Sequence, residues 1–180
     1  MVEAILDPTG GRRAVAQGAA VLTPNRLKLA GATIGLLENT KKNAAPFLAE
    51  LGRLLVERHG AAGVVARTKT AFAMPIPEEQ LAELARTCDA VITGVGDCGS
   101  CSASAVADGI AFERHGIPAA VICSDAFIVT ADAMAGMRDA TGYHYVVTPH
   151  PVAVLGPDEV RKRAEEALDD VVAILTSVAS

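Results

Sequence analysis

The chain has 180 residues, of which 51% are hydrophobic and 3% are aromatic, and it contains no tryptophan. Its 16 Lys and Arg side chains against 21 Asp and Glu side chains give a formal net charge of −5. That charge argues against nucleic-acid binding, which needs a basic surplus to displace counterions from phosphates. The length suits one domain, and a core of Val, Ile, Leu and Ala is typical of a parallel sheet covered by helices.

The first 30 residues are predicted to form an arm separate from the domain. Prolines and glycines interrupt their apolar pieces, so no helix of useful length is predicted there. Residues 8–29 carry apolar side chains but are too few to build a core of their own. We therefore expect an extended arm or small hairpin that packs on the domain or on a second subunit of a homodimer. A partly ordered tail is the alternative.

From residue 31 onwards, short apolar runs alternate with segments of helical spacing, which predicts one α/β domain over residues 31–180. The predicted strands are residues 32–37, 63–66, 90–95, 118–123 and 145–148. The predicted helices are residues 43–59, 77–87, 102–115, 127–140 and 157–175. This alternation predicts a flavodoxin-like three-layer sandwich with a mostly parallel five-stranded sheet in the order 2-1-3-4-5. Ligands are expected where strands 1 and 3 diverge at the carboxyl edge.

The sequence also predicts in which cellular compartment the protein is found. No run approaches the ~18 consecutive apolar residues of an ordinary membrane-spanning helix. Residues 1–8 lack the basic region and apolar run of a signal peptide, and four cysteines are too few for a disulfide scaffold. We therefore expect a cytoplasmic protein with free thiols and no contact with a membrane.

Two thiols stand where predicted strand 3 gives way to the next helix. Cys98 and Cys101 form a Cys-x-x-Cys motif in the run Gly-Val-Gly-Asp-Cys-Gly-Ser-Cys. Unpaired N–H groups at a helix start stabilise a thiolate, and the glycines leave space above the leading sulfur. This arrangement favours a nucleophilic or redox Cys98. The alternative is a pair of buried, inert thiols.

The two remaining cysteines offer a different possibility. Cys123 ends predicted strand 4, next to strand 3, so it is able to approach Cys98 and Cys101. A metal-binding or redox-sensing cluster of these three thiols is the alternative to an enzyme. Cys88 is expected at the opposite edge of the sheet, in a packing role. No cofactor is predicted for the enzyme interpretation.

Several other polar residues are expected at the same edge. Asp97 is predicted to act as a general acid or as a helix cap, and His150, held between two prolines, as its partner or as part of a turn. Asn39 and Lys41 follow strand 1 and are predicted to orient a substrate; their alternative roles are a helix cap and a solvated surface. The segment that carries Cys98 and Cys101 is called the thiol loop below. Residues of this loop and of the end of strand 4 complete the predicted substrate contacts: Gly99, Ser100, Ser102 and Ser124.

The stretch from residue 89 to residue 127 resembles the UGSC family of selenoproteins and their cysteine homologues. In that family the signature is selenocysteine-Gly-Ser-Cys, so the resemblance places Cys98 at the selenocysteine position and Cys101 at the second position. The similarity extends to residues 35–41 and 149–151 and covers most of the chain. It implies chemistry of sulfur or selenium, with Cys98 as the attacking atom, but no particular substrate. More distant likenesses are to the selenoprotein subunits of glycine and proline reductases and to one lobe of the aspartate/glutamate racemase fold.

Together these observations predict an oxidoreductase or lyase that acts on a small polar substrate. Cys98 is expected to attack as a thiolate, and Cys101 to resolve the adduct as a disulfide or to donate a proton. The likeness to the reductases suggests cleavage of a carbon–heteroatom bond. A thiol reductant or a partner oxidoreductase is then needed to restore the two thiols.

Overall fold

A computed structural model describes residues 27–176 of the chain. Five strands alternate with five α-helices. The strands are β1 (Thr33–Glu38), β2 (Gly63–Thr68), β3 (Ala90–Gly96), β4 (Ala119–Ser124) and β5 (Val146–Thr148). The helices are α1 (Ala44–His59), α2 (Glu78–Thr87), α3 (Gly99–Arg114), α4 (Ile128–Met137) and α5 (Pro157–Thr176), with a short 3₁₀ turn at Asp125–Phe127.

The sheet has the order β2-β1-β3-β4-β5, and every pair of neighbouring strands is parallel. This confirms the predicted flavodoxin-like order. The register between β3 and β4 shifts between Thr93 and Gly96. That irregularity lies at the carboxyl end of β3, next to the Cys-x-x-Cys motif.

Both faces of the sheet are covered, which makes the domain a three-layer sandwich. The central strand β3 and its neighbour β4 are buried along their whole length, because helices lie above and below them. On one face, α1 and α5 pack together over a core that includes Ile34, Phe47 and Val171. On the other face, α2, α3 and α4 contribute to two further apolar clusters. Alternating strands and helices therefore form the architecture that their hydrophobic spacing predicts.

Two helices have one boundary that differs from the prediction by three residues. Helix α3 begins at Gly99, three residues before the predicted start, because the Cys98 side chain caps it by accepting a hydrogen bond from the Cys101 N–H group. Helix α4 ends at Met137 instead of residue 140, and the chain turns through Asp139 with φ 53°. Most of the predicted arm, residues 1–26, lies outside the described residues. Within the described part of the chain, no helix has the length and apolar character needed to cross a membrane.

Candidate functional site

The candidate site lies at the carboxyl edge of the sheet, where the loops after β1, β3, β4 and β5 meet. Cys98 is the N-cap of α3, and one residue, Asp97, separates it from the end of β3. Two cis peptide bonds lie at this edge, between Gly94 and Val95 and between His150 and Pro151. The edge also receives the ends of β4 and β5, which pair at Ser124 and Thr148. The topology therefore brings together residues that are more than 50 positions apart in sequence.

Cys98 and Cys101 are joined by a disulfide bond, with their Cα atoms 5.1 Å apart. The two sulfurs differ in access to solvent: Cys98 is partly exposed, whereas Cys101 is fully buried. An external reactant is therefore able to reach Cys98 but not Cys101. In thiol–disulfide chemistry, such a difference separates an attacking thiol from a resolving thiol.

The start of α3 also places hydrogen-bond donors next to the sulfur atom of Cys98. Its Sγ atom accepts a hydrogen bond from the Cys101 N–H group at 3.2 Å and lies 3.6 Å from the Ser100 Oγ atom. Once the disulfide is reduced, the N–H groups of the first helical turn favour the thiolate form of Cys98. A Cβ atom added to Gly99 would lie 3.8 Å from the Thr130 Oγ1 atom, so no side chain crowds this position.

The Asp97 side chain makes hydrogen bonds to three other residues at this edge. Its Oδ2 atom accepts from the N–H groups of Val152 and Ala153 at 3.0 and 2.8 Å, and its Oδ1 atom lies 2.9 Å from the His150 Nδ1 atom. Burial raises the pKa of Asp97. These two backbone donors, with the side chains of Ser124 and His150, outweigh burial and lower the pKa below its ordinary value. Asp97 is therefore a carboxylate, and it accepts the hydrogen from the imidazole.

This contact sets the orientation of His150. Because Asp97 is an acceptor at Nδ1, the proton of neutral His150 resides on Nδ1, and Nε2 is the nitrogen that is able to take up a proton. The ring is about one-third exposed and meets Phe127 edge to face, with 5.3 Å between ring centroids. The backbone N–H group of His150 donates to Asp125 at 3.0 Å. The histidine is therefore held from three sides and remains in contact with solvent.

In the loop after β1, the buried polar side chain makes its hydrogen bonds within the protein. Asn39 is buried: its side chain donates to the Val95 carbonyl at 3.0 Å and accepts from the Lys41 N–H group at 3.3 Å. The Lys41 ammonium lies 5.9 Å from the centre of the Phe72 ring. Substrate binding by Asn39 and Lys41 remains a prediction, and the structure adds a role for Asn39 in joining β1 to β3.

The predicted serines fall into two groups. Ser102 and Ser124 are buried. The Ser102 hydroxyl lies 2.9 Å from the carbonyl oxygens of Gly96 and Cys98, and the Ser124 hydroxyl lies 3.1 Å from the carbonyl oxygen of Gly96. Both therefore hold the thiol loop from behind. Ser100 is exposed on the first turn of α3. Direct contact of any of these residues with a substrate remains a prediction.

Cys123, the third thiol of the alternative metal-binding or redox-sensing cluster, lies behind the thiol loop. Cys123 is fully buried, and its burial raises the pKa of the thiol to about 12, with a hydrogen bond from Ser102 opposing this effect. A Cβ atom added to Gly96 would lie 2.9 Å from the Cys123 Sγ atom. Among residues 27–176, no group of three or more His, Cys, Asp or Glu side chains is arranged to hold a metal ion. Cys88 is buried in an apolar cluster with Leu84 and Val91, in the packing environment expected for it.

Two further contacts at this edge were not predicted from the sequence. Asn43 directly precedes α1, and its side chain makes no cap hydrogen bond; it donates to the carbonyls of Val152 and Leu155 at 2.9 and 3.0 Å and so anchors the loop after β5. Lys69, directly after β2, is buried in an ion pair with Asp108 of α3. A lysine beside a strand end gives no local signal of burial. Its partner lies 39 residues away.

Fold and site together define a flavodoxin-like α/β domain with a Cys-x-x-Cys disulfide at the start of a helix and an Asp–His pair beside it. The sequence profile of the UGSC family matches residues 4–177, and the chain belongs to this family. No curated protein matches the chain. A solved structure described as an ABC transporter permease from the Pseudomonas fluorescens group is similar at 20% identity with a TM-score of 0.42. That match covers 79% of this chain, and this chain spans 32% of the other.

Proposed function

We propose that the protein is a cysteine-dependent enzyme in which the Cys98 thiolate attacks a small polar substrate and Cys101 resolves the adduct. The observation that carries this proposal is the pairing of a partly exposed Cys98 with a fully buried Cys101 in one disulfide at the start of α3. An inert pair of core thiols would not need one sulfur at the surface. A nucleophile needs access, whereas a resolving thiol only has to reach its neighbour.

The proposed reaction is the reductive cleavage of a bond between carbon and a heteroatom. The Cys98 thiolate forms a bond to the carbon, and the heteroatom leaves with the bonding electrons and takes a proton from the His150 imidazolium. The Cys101 thiolate then attacks the Cys98 Sγ atom, and the carbon leaves with the electron pair and is protonated. Two thiols are oxidised to the disulfide, and the substrate is reduced by two electrons. This requires a carbon that stabilises negative charge, such as one beside a carbonyl group.

The cycle needs a reductant because each turnover consumes both thiols. Since Cys101 is fully buried, an external thiol has to attack Cys98 and release Cys101 as the leaving group. A dithiol reductant, either a small molecule or a partner oxidoreductase, supplies the two electrons. Asp97 supports the cycle by holding the His150 ring beside the thiol loop.

The proposal is tested with the reduced protein and an α-halo ketone as substrate. We expect loss of the halide, release of the dehalogenated ketone and formation of one Cys98–Cys101 disulfide per turnover, as measured by chromatography and intact mass. Cys98→Ser should abolish the reaction. Cys101→Ser should accumulate a thioether on Cys98, because the first step is intact and the second is blocked.

A second measurement tests the thiolate itself. We expect Cys98 to be alkylated by iodoacetamide at neutral pH about tenfold faster than an ordinary thiol, because helix N–H groups favour the thiolate. Cys98→Ser gives the background from the other cysteines. Reaction no faster than that of an ordinary thiol, or stoichiometric metal bound by Cys98, Cys101 and Cys123 in anaerobically purified protein, would contradict the enzyme proposal.

A further inference from the structure

Helix α4 leaves apolar side chains in contact with solvent. Of its ten residues only Asp132 is charged, and a helix of that composition is normally enclosed by the rest of the protein. Yet only Ala131 and Ala135 of α4 are buried, in the apolar cluster that α4 shares with α3 and β4. Val129 and Met137 are 83% and 78% exposed. The composition of α4 is therefore that of a covered helix, whereas its outer side is open.

The exposed apolar residues of α4 form a continuous stripe. Val129, Ala133 and Met137 stand four residues apart and therefore lie along one side of the helix, with Gly136 beside them. Ala133 and Gly136 are also exposed. We call these four residues the α4 face, which extends about 12 Å along the helix axis. Apolar surface that is continuous, rather than scattered in single residues, is typical of an interaction site.

One end of the α4 face lies beside the disulfide. Thr130, which follows Val129, has its Oγ1 atom 3.8 Å from a Cβ atom placed on Gly99, the residue after Cys98. Because Cys101 is fully buried, an external thiol reaches the disulfide only at Cys98. A protein that brings a thiol to the Cys98 sulfur therefore also covers the first turn of α4.

The charged side chains around the α4 face are acidic. Residues 125–137 contain two charged side chains, Asp125 and Asp132, and both residues are exposed. Lysine or arginine side chains beside the thiol of a partner would therefore favour its docking at this surface. A two-fold contact between two copies of the α4 face would instead bring Asp132, next to the central Ala133, close to its own copy. Charge therefore favours a basic partner over a second copy of this chain.

We propose that the α4 face binds a protein dithiol oxidoreductase that has basic side chains around its thiol and reduces the Cys98–Cys101 disulfide, an inference that rests on the proposed function. A thiolate of this partner attacks the Cys98 sulfur, and Cys101 leaves with the bonding electrons. The partner's second thiol then attacks the partner's sulfur in the mixed disulfide and releases Cys98. The partner is oxidised to a disulfide, the Cys98–Cys101 bond is reduced by two electrons, and the protons of the partner's two thiols pass to Cys98 and Cys101.

The size of the α4 face suits a brief contact. It consists of four residues on one helix, and redox partners that meet transiently bury less than about 1,200 Å² in total. The partner has to leave after each reduction, because the substrate needs access to the same Cys98 sulfur. A small apolar surface beside the disulfide meets both requirements.

The test measures reduction of the Cys98–Cys101 disulfide in the oxidised full-length protein. The probes are three synthetic peptides that share a Cys-Gly-Pro-Cys dithiol: one is flanked by leucines and lysines, one by serines and lysines, and one by leucines and glutamates. Acid quenching and mass spectrometry give the rate constant for each peptide. Dividing this rate constant by that of the same peptide with oxidised glutathione removes differences in thiol reactivity. Dithiothreitol is the small, uncharged reference reductant.

The variants change the α4 face without adding charge. Val129→Asn and Met137→Gln replace exposed apolar side chains with polar ones, and circular dichroism checks that each variant is folded. Met137 is two helical turns further from the disulfide than Val129, so it reports on docking and not on the chemistry of the sulfur. Val56→Asn is the matched control, since Val56 is 39% exposed on α1, on the opposite face of the sheet.

We expect the leucine–lysine peptide to react about fivefold faster than either of the other peptides, because it alone combines apolar contact with opposite charge. Val129→Asn and Met137→Gln should each remove most of this advantage, and Val56→Asn should retain it. Dithiothreitol should reduce the original protein and all three variants at the same rate. This pattern would support docking at the α4 face.

Two results would overturn the inference while the proposed function stands. Equal rates for the three peptides with the original protein would indicate that a second copy or residues 1–26 cover the α4 face. Sedimentation velocity would identify the second copy if Val129→Asn and Met137→Gln converted a dimer to a monomer. An advantage that persists in both α4 variants would place docking elsewhere. The proposed function would be contradicted instead if a single-thiol form of the peptide formed its mixed disulfide with Cys101 and not with Cys98, as mapped by mass spectrometry.

Discussion

Asp97 connects the thiol loop to two other segments of the chain. It directly precedes Cys98, accepts hydrogen bonds from two N–H groups of the loop after β5, and holds the ring of His150 in one orientation. A buried carboxylate of this kind is stable only because each of its oxygens is hydrogen-bonded. Asp97 therefore stabilises the fold of this edge and also fixes the orientation of the His150 ring.

Replacing Asp97 by asparagine should destabilise the protein by roughly 1–3 kcal/mol at neutral pH. The amide has one acceptor oxygen, so it cannot satisfy both the two backbone donors and the imidazole. Because the pKa of Asp97 is lowered in the folded protein, the stability due to its carboxylate is fully present above the unfolded-state pKa of about 3.9 and is lost as the pH falls through the lower folded value.

Urea unfolding at a series of pH values measures this effect. The difference in unfolding free energy between the original protein and Asp97→Asn should narrow below about pH 4. Asp158→Asn is the control, since the Asp158 side chain is 92% exposed and its loss should change stability by no more than about 0.5 kcal/mol. A difference that stays constant through the acid range would show that Asp97 contributes through packing alone.

At the scale of elements, the site depends on how closely α3 approaches the sheet. Gly109 lies in the middle of α3 where the helix crosses β4. A Cβ atom at this position would lie 2.3 Å from the Val121 Cγ2 atom and 2.6 Å from the Tyr143 hydroxyl oxygen. Glycine is therefore required by contact with the neighbouring strand, although it weakens an isolated helix.

Two helix glycines should respond in opposite ways to alanine. Gly109→Ala should lower the free energy of unfolding by about 1–3 kcal/mol, because the added methyl group overpacks the interface between α3 and β4. Gly136→Ala in α4 should raise it by up to about 1 kcal/mol, since its Cβ atom would meet nothing closer than an oxygen at 4.0 Å and alanine favours the helix. Urea unfolding compares the two variants. If both variants changed the free energy of unfolding equally, α3 would be able to move away from the sheet without a loss of stability.

The sequence predicted the strands and helices because their hydrophobic spacing is local. It placed Cys98, Asp97 and His150 at one edge, because parallel strands bring their carboxyl ends together. It did not predict the start of α3, where Gly99 and Ser100 are weak helix formers and a sulfur atom supplies the cap. Nor did it predict the Lys69–Asp108 pair, since a contact across 39 residues leaves no local pattern.

For the whole molecule, the fold and the redox state of the disulfide should be largely independent. The apolar clusters on the two faces of the sheet involve all five helices, whereas the disulfide joins two residues that are three positions apart. An enzyme that cycles between thiols and disulfide needs this separation, because both states have to present the same site. A fold stabilised chiefly by the bond would unfold at each turnover.

Reduction of the disulfide should therefore lower the free energy of unfolding by at most about 2 kcal/mol, because closing so short a loop removes little entropy from the unfolded chain. For a chain of this size, that corresponds to a fall in Tm of roughly 4–8 °C. Scanning calorimetry of the oxidised and reduced protein gives the difference directly, and the double variant Cys98→Ser with Cys101→Ser is a control that is insensitive to reductant. If the protein lost its cooperative transition on reduction, the disulfide would be a structural bond, and a catalytic cycle through it would be ruled out.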